Sequence, residues 1–208
     1  MSTIGFVHTV LSLPPTFTQL AEELVPEADV FHIADETLLS NTRREGRLTP
    51  ATRRRVLGYV ESAAEAGADL VVVTCSSIGP AVDASRAFLD VPVLRIDEPM
   101  ADEAVRLGSR IGVVATLSTT LEPTAELVRR RAREAGEEVE VTAYLCDGAF
   151  GSDRHDELVR EGIAKAASES DVVVLAQASM ARVAGDAPVP VLSSPRLGMQ
   201  RVAELVRA

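Results

Sequence analysis

Tryptophan is absent from the 208-residue sequence, and aromatic residues account for only 3% of it. Large rings therefore cannot fill the core, which must be built mainly from alanine, valine and leucine. Small aliphatic side chains of this kind suit parallel strands that are buried on both faces beneath helices. The balance of 46% hydrophobic and 25% charged residues is ordinary for a globular protein, and the length allows one domain or two small ones.

Cysteine is also scarce, since only Cys75 and Cys146 are present. Two cysteines do not make a disulfide framework, and no signal-peptide pattern precedes them. The apolar stretch at residues 2–10 is too short for a signal-peptide core or a membrane span. We therefore expect free thiols in a reducing, cytoplasmic compartment, and no membrane partner.

Positive charge is in deficit, with 21 lysine and arginine residues against 31 acidic residues and a formal net charge of −10. Such a field repels phosphate backbones on average, so nucleic acid is not expected as a partner. The arginine clusters at residues 53–55 and 129–131 have acidic neighbours in helix-like stretches, which indicates solvated helix faces. The three histidines show no metal-ligand spacing, and no metal site is predicted.

Short β-branched runs alternate with amphipathic stretches, a rhythm typical of βαβ units with a parallel sheet. In the first half, Thr49 and Pro50 form an N-cap and first-turn signal for a helix that ends near residue 67. The predicted strands of this half are residues 4–7, 29–33, 70–74 and 91–94.

The series then repeats. Residues 111–114 match residues 4–7, residues 171–177 match residues 69–75, and residues 189–192 match residues 91–94, always in the same order. This repetition indicates an internal duplication and an α/β fold of two parallel lobes related by a pseudo-twofold axis.

Lobe boundaries follow from the repeat. We expect a first lobe at residues 1–96, with the C-terminal helix at 195–208 packing on it, and a second lobe at residues 97–194. A helix at residues 98–107 joins them without a low-complexity linker, which predicts closely apposed lobes with a cleft between them.

Ligands of open parallel sheets bind beyond the carboxyl ends of the strands. Small polar residues occupy these predicted ends, and the lobe symmetry would bring them to one cleft. Hydroxyls and helix N-termini favour a small carboxylate there, whereas no phosphate-binding glycine motif follows any strand. The residues are His8, Thr9, Cys75, Ser76, Ser77, Thr116, Ser118, Thr119, Thr120, Gln177 and Ser179.

Cys75 is the strongest candidate for a reactive group. A helix opening at Ser76 and Ser77 would stabilise its thiolate and lower its pKa, although a buried structural thiol fits the spacing equally well. His8, at the neighbouring strand end, could act as its proton partner or remain a structural histidine. For Cys146, which follows the apolar stretch at residues 139–145, a structural role is favoured over that of a second catalytic thiol.

The segments at residues 71–77, 111–120 and 172–179 resemble the aspartate/glutamate/hydantoin racemase superfamily across essentially the whole chain. This resemblance implies cofactor-independent proton transfer at a substrate carbon between two cysteines. It places Cys75 at the first cysteine and His8–Thr9 beside it. Ser76, Ser77, Thr116 and Thr119 match the family's groups that hold the substrate carboxylate. Their positions at or near strand ends add Thr9, Thr120, Gln177 and Ser179 as expected substrate-binding residues.

Gln177 departs from the family pattern, because it occupies the place of the second cysteine. An amide is neither a general acid nor a general base near neutral pH. A single-cysteine isomerase of a small carboxylate or amino-acid-like substrate is therefore our first expectation. A single-cysteine decarboxylase of malonate-type acids, related to arylmalonate decarboxylases, and a carboxylate-binding protein without turnover are the alternatives. A homo-oligomer is possible, but no stretch of sequence singles out an interface.

Overall fold

The computed structural model describes residues 1–185 and 187–207. Over these residues parallel strands alternate with helices, as the hydrophobic pattern predicts. The strands are β1 (Thr3–His8), β2 (Asp29–Ala34), β3 (Leu70–Val73), β4 (Val93–Arg95), β5 (Arg110–Ala115), β6 (Glu140–Leu145), β7 (Val172–Leu175) and β8 (Val191–Ser193). The α-helices are α1 (Pro14–Leu24), α2 (Glu36–Glu45), α3 (Pro50–Glu65), α4 (Gly79–Ser85), α5 (Glu98–Leu107), α6 (Ser118–Ala135), α7 (His155–Glu169) and α8 (Ser194–Arg207).

The chain divides into two compact units, one formed by Met1–Ile96 with Pro195–Ala208 and the other by Asp97–Ser194. Residue 208, the last of the predicted C-terminal helix, lies outside the described residues. Helix α8 is tied to the first unit by Arg196, which binds Glu23 of α1 at 2.7 Å, and by Arg207, which donates to the carbonyl of Leu24 at 3.0 Å.

Each unit contains a four-stranded parallel sheet, in the order β2-β1-β3-β4 in the first unit and β6-β5-β7-β8 in the second. The predicted α/β fold with two parallel sheets is confirmed. The inner strands β3 and β7 are buried along their whole length. Each fully buried valine or leucine stabilises the fold by about 1.5–3 kcal/mol relative to an exposed side chain.

Equivalent backbone hydrogen bonds define corresponding positions in the two units. The amide of Thr74 donates to Val7, and that of Ala176 donates to Val114. One residue later, Cys75 and Gln177 each accept through their carbonyl from the amide three residues on. Cys75 and Gln177 therefore occupy equivalent places in the two sheets, two residues after the end of an inner strand.

The element limits differ from the sequence-based prediction at several ends, and helices α2 and α7 were not predicted. Strand β4 begins two residues later than expected and reaches Arg95, while β3 ends at Val73, one residue earlier than expected. Helix α2 was missed because its start signal is a side-chain cap: the Asp35 carboxylate accepts from the Thr37 amide at 2.9 Å.

Within the described part of the chain, no helix is long and apolar enough to cross a lipid bilayer.

Candidate active site

Cys75 lies at the carboxyl end of β3, between the ends of β1 and β4. Its backbone is extended and leads into a short 3-10 helix, Ser76–Ile78, that continues into α4. The amides of Ser77 and Ile78 and the hydroxyl of Ser77 turn toward the sulfur and favour its thiolate. The sheet edge and the tight turn together give a partly exposed thiol with several nearby donors.

Burial nevertheless raises the pKa of the Cys75 thiol above its ordinary value, and the surrounding donors only partly offset this effect. The expectation of a lowered pKa is therefore wrong. It assumed a regular helix opening at Ser76, whereas three residues of 3-10 helix come first, and the thiol packs against the core beneath α3. The thiol is the resting form at neutral pH, and its thiolate is a correspondingly stronger base.

Thr9 extends from the end of β1 toward Cys75. Its hydroxyl lowers the pKa of the thiol, yet among the described residues Thr9 Oγ1 has no hydrogen-bond partner of normal geometry. A contact to sulfur is long and weak, so the donor strength of this hydroxyl is largely unused. Because Thr9 is only 1% exposed, a buried, unsatisfied hydroxyl lies beside the thiol.

His8 is completely buried, and both of its ring nitrogens are engaged. Nδ1 lies 2.8 Å from Thr74 Oγ1, and Nε2 lies 2.9 Å from Nδ1 of His32 on β2. His32 in turn places Nε2 2.9 Å from the Thr18 hydroxyl of α1. The imidazole of His8 is thus directed to a threonine and a second histidine.

Side chains alternate between the two faces of a strand, which separates His8 from the thiol. His8 shares its face with Phe6, whose ring stacks on His32 with centroids 5.2 Å apart. On the opposite face, Val7 and Cys75 pack into the core cluster beneath α3. His8 and Cys75 therefore meet at the same sheet edge but from different faces, and direct proton transfer between them remains a prediction.

The buried His8 predicts an acid-sensitive fold. Burial and the neighbouring His32 lower the pKa of His8 from 6.5 to about 4, so the folded state binds fewer protons than the unfolded state between these values. The corresponding stability, about 3 kcal/mol, is fully present above pH 6.5 and is lost as the pH falls toward 4. Urea titrations at several pH values should show this slope in the wild type and a shallower one in His8→Asn, where the buried His32 still contributes.

The matched control for removing one histidine is His155→Asn, which alters the start of α7 in the other unit. An equal loss of pH dependence in both variants would contradict the assignment to His8.

In the second unit, Gln177 occupies the place that Cys75 has in the first. Its side-chain oxygen accepts hydrogen bonds from the amide of Thr116 at 2.7 Å and from the Thr116 hydroxyl at 2.9 Å. Thr116 is the counterpart of Thr9, so the pair formed by Thr9 and Cys75 corresponds to the pair formed by Thr116 and Gln177. The side-chain amide of Gln177 is held in place by these two donors, but it carries no proton that dissociates near neutral pH.

The other predicted binding residues surround the ends of β3, β5 and β7. Ser76 and Ser77 are buried in the turn after Cys75. Thr119 and Thr120 lie in the first turn of α6, where Thr119 Oγ1 is buried without a hydrogen-bond partner in the described structure. Ser179 is exposed in the 3-10 helix that follows Gln177.

Cys146 follows β6 and is hydrogen-bonded through its amide to Ala115, beside Thr116. The side chain is only 8% exposed and packs with Val114 and Ile163 beneath α7. Burial and the negative charge of Glu161 raise the pKa of its thiol. These surroundings are those of a structural thiol, and they make it a weak acid at neutral pH.

Gly162 of α7 makes room for Cys146: a Cβ atom at position 162 would lie 2.4 Å from the sulfur and 3.2 Å from Val114. We expect Gly162→Ala to destabilise the fold by about 1–3 kcal/mol, because overpacking outweighs the better helix propensity of alanine. Chemical denaturation should measure this loss. In a Cys146→Ala background the sulfur is gone, and the same substitution should become neutral or stabilising. A cost that persists in that background would show that another neighbour causes the strain.

Sequence analysis missed three residues that are hydrogen-bonded to His8 or to its partner ring: Thr18, His32 and Thr74. His32 was considered only as a possible metal ligand, and the other two were not singled out. The parallel register places His32 opposite Phe6, two pairs before the last pair of the two strands. Knowledge of that register was the missing signal, since the ring pair forms only between aligned strands.

The sequence profile of the Asp/Glu/hydantoin racemase family matches residues 9–202, which is nearly the whole chain. The chain belongs to this family. Membership supports a racemase-type isomerase. A comparison with curated protein sequences gives no match.

Solved structures of racemases share the fold. An allantoin racemase from Klebsiella pneumoniae is 21% identical with a TM-score of 0.72, and the alignment covers 100% of this chain and 88% of that one. A glutamate racemase from Bacillus anthracis is 16% identical with a TM-score of 0.70, over 99% and 82% of the two chains. An aspartate racemase homologue from Pyrococcus horikoshii is 16% identical with a TM-score of 0.66, over the full length of both.

Proposed function

We propose that this protein is a cofactor-independent isomerase that transfers the Cα proton of a small carboxylate or amino-acid-like substrate, with Cys75 as its single catalytic thiol. The observation that carries this proposal is the position of Cys75 at the carboxyl end of an inner parallel strand, surrounded by donors from Thr9, Ser77 and Ile78. Ligands of parallel sheets bind at such strand ends.

The raised pKa of Cys75 suits proton abstraction from carbon. A Cα–H is a very weak acid, and a desolvated thiolate accepts its proton with more driving force than a solvated one. Once the proton has moved, negative charge develops on the substrate carboxyl group. Preorganised donors at the site would stabilise that charge.

Thr9 is the best supported of these donors, because its buried hydroxyl lacks a partner of normal geometry. A carboxylate oxygen would satisfy it and remove the cost of the unmade hydrogen bond, which is typically about 1–3 kcal/mol. The remaining proposed substrate-binding residues are Ser76, Ser77, Thr116, Thr119, Thr120, Gln177 and Ser179.

A second proton donor is required for inversion at the substrate carbon. Gln177 lacks a dissociable proton, and we propose that it stands where two-cysteine members of the family carry their second thiol. The return proton would then come from water, from His8 or from Cys146. One-faced proton chemistry is also sufficient for a decarboxylase, so the amide at Gln177 favours that reaction as the second candidate.

The test is incubation of the protein in D₂O with separate enantiomers of aspartate, glutamate and allantoin. Loss of the proton signal at the stereogenic carbon and the appearance of the opposite enantiomer on a chiral column are expected for at least one compound. Malonate-type acids, followed by carbon dioxide release, form the second arm.

Each outcome separates the candidates. Deuterium incorporation with inversion supports the isomerase, and carbon dioxide release without inversion supports the decarboxylase. Saturable binding of an acid without deuterium incorporation or carbon dioxide release would overturn both and leave a binding protein.

A further inference from the structure

The hydrogen bonds around His8 and His32 form one continuous chain. It begins at the carbonyl of Val7, which Thr74 Oγ1 approaches to 3.3 Å, and it passes through the two rings. It ends at the carbonyl of Pro14, which accepts from Thr18 Oγ1 at 3.1 Å. Four groups with exchangeable protons thus lie between two carbonyl oxygens that can only accept.

A count of protons reveals a deficit. Two threonine hydroxyls and two neutral imidazoles carry one exchangeable hydrogen each, four in all. The chain has five contacts: Thr74 to Val7, Thr74 to His8, His8 to His32, His32 to Thr18, and Thr18 to Pro14. With both rings neutral, one contact must lack a hydrogen and bring two acceptors together.

Two neutral arrangements place the empty contact at an end of the chain. In one, every group donates toward Pro14 and the long contact between Thr74 and Val7 is empty. In the other, every group donates toward Val7 and the contact between Thr18 and Pro14 is empty. One additional proton fills all five contacts: each ring nitrogen of one histidine then donates, and both hydroxyls turn to the carbonyls.

We propose that His8 and His32 bind a single shared proton as one unit, and that this pair takes up the proton from solvent when negative charge forms at the carboxyl end of β3. His32 is thereby a positioning residue that acts through His8. This inference rests on the proposed function, because the negative charge is that of the Cys75 thiolate or of the bound acid.

The surroundings keep the pair neutral until that charge appears. Phe6 and Phe17 pack on the rings from β1 and α1, and burial together with the second ring lowers the pKa of His8. Burial also lowers the pKa of His32.

Two of the carboxylates on and beside the neighbouring elements are already paired. Asp35, which follows β2, binds Arg55 and the Tyr59 hydroxyl, and Glu23 of α1 binds Arg196. From β3, Cys75 is the titratable group at the same sheet edge. A new negative charge there would oppose the effect of burial on the pair.

Proton entry is possible from one side only. His8 is completely buried, whereas His32 and Thr18 are partly exposed. A proton from water can bind His32 Nε2 as the Thr18 hydroxyl turns to Pro14, and the hydrogen already on His32 Nδ1 then bonds His8. Solvent loses one proton and the pair gains it, so the step is balanced without another reactant.

The experiment is a pH titration of the full-length, ¹⁵N-histidine-labelled protein by NMR, which needs no turnover. The ring signals of His8 and His32 should move over the same pH interval and together report one bound proton in the folded state. His155, the third histidine, is assigned with His155→Asn. Two independent one-proton titrations of His8 and His32 within the folded state would overturn the shared proton.

The influence of negative charge is tested with Cys75→Asp against its neutral isostere Cys75→Asn. The midpoint of the pH titration of His8 and His32 should be at least one pH unit higher in the aspartate variant than in the asparagine variant. If either variant fails to fold, Cys75 carboxymethylated with iodoacetate is compared with the carbamidomethylated protein in a Cys146→Ala background. Equal midpoints in the charged and neutral forms would refute the proposal, even where deuterium exchange supports the isomerase.

The role of His32 is separated from simple structural support by His32→Gln. If His32 acts through His8, the glutamine variant should fold and bind, but its one-proton step should move to a different pH because His8 then binds the proton alone. The pH profile of substrate deuterium exchange should then shift, with little change in KM. An unchanged profile would contradict the positioning role.

Discussion

Cys75→Ala is expected to reduce deuterium exchange at the substrate carbon by about 10³-fold in kcat/KM, within the range found for the removal of a positioned acid–base group. The thiol is the ionisable side chain at the end of β3, and the neighbouring Thr9, Ser76 and Ser77 are neutral. Loss of the sulfur therefore removes the base while the proposed carboxylate donors remain. Exchange rates and KM, measured for the compound that the wild type processes fastest, check the prediction.

Cys146→Ala is the matched control, since it removes the other thiol from beneath α7. Its rate of deuterium exchange should stay close to that of the wild type, because Cys75 exchanges the Cα proton; inversion is scored separately, and loss of inversion alone would assign the return proton to Cys146. Cys75→Ser tests whether a hydroxyl can replace the thiol, and it should be nearly as inactive as the alanine variant because serine is a far weaker acid. Wild-type exchange in either Cys75 variant would refute the proposed role of the thiol.

The buried strands were predictable because their signal is local. Runs such as residues 70–73 and 172–175 are apolar, β-branched and bounded by loops, and the same run appears twice at equivalent places. The resulting α/β class needs no knowledge of distant contacts. Helix α2 escaped prediction because a single capping aspartate starts it in an otherwise polar segment.

Candidate site residues were predictable in identity but not in environment. The position of Cys75 after an inner strand follows from the sequence, whereas its raised pKa depends on the packing of distant residues such as Val60 and Val82 around it. The direction of the His8 ring depends likewise on His32, which is 24 residues away. Local patterns identify strand ends, while burial and register decide what those ends can do.

Arg95 is a further example, since it ends β4 as a buried guanidinium that no motif indicated. Its side chain is 3% exposed, and it binds the Asp83 carboxylate of α4 at 2.7 Å. The guanidinium also lies against Gly79, where a Cβ atom would be 2.3 Å from Arg95 Cζ. Gly79 directly follows the 3-10 helix whose amides surround Cys75, so this contact connects the ion pair to the candidate site.

Asp83→Ala is expected to lower the free energy of unfolding by about 1.5–3 kcal/mol, because it removes a charge-assisted hydrogen bond from the buried guanidinium of Arg95. Guanidinium chloride denaturation should measure the loss.

Glu103→Ala provides the control, because Glu103 forms an exposed ion pair with Arg106 on α5 and such pairs contribute little. A loss for Asp83→Ala no greater than for this control would contradict the argument. Loosening of the turn after Cys75 should also speed alkylation of its thiol in Asp83→Ala. In Glu103→Ala the alkylation rate should stay at the wild-type value, since α5 belongs to the other unit.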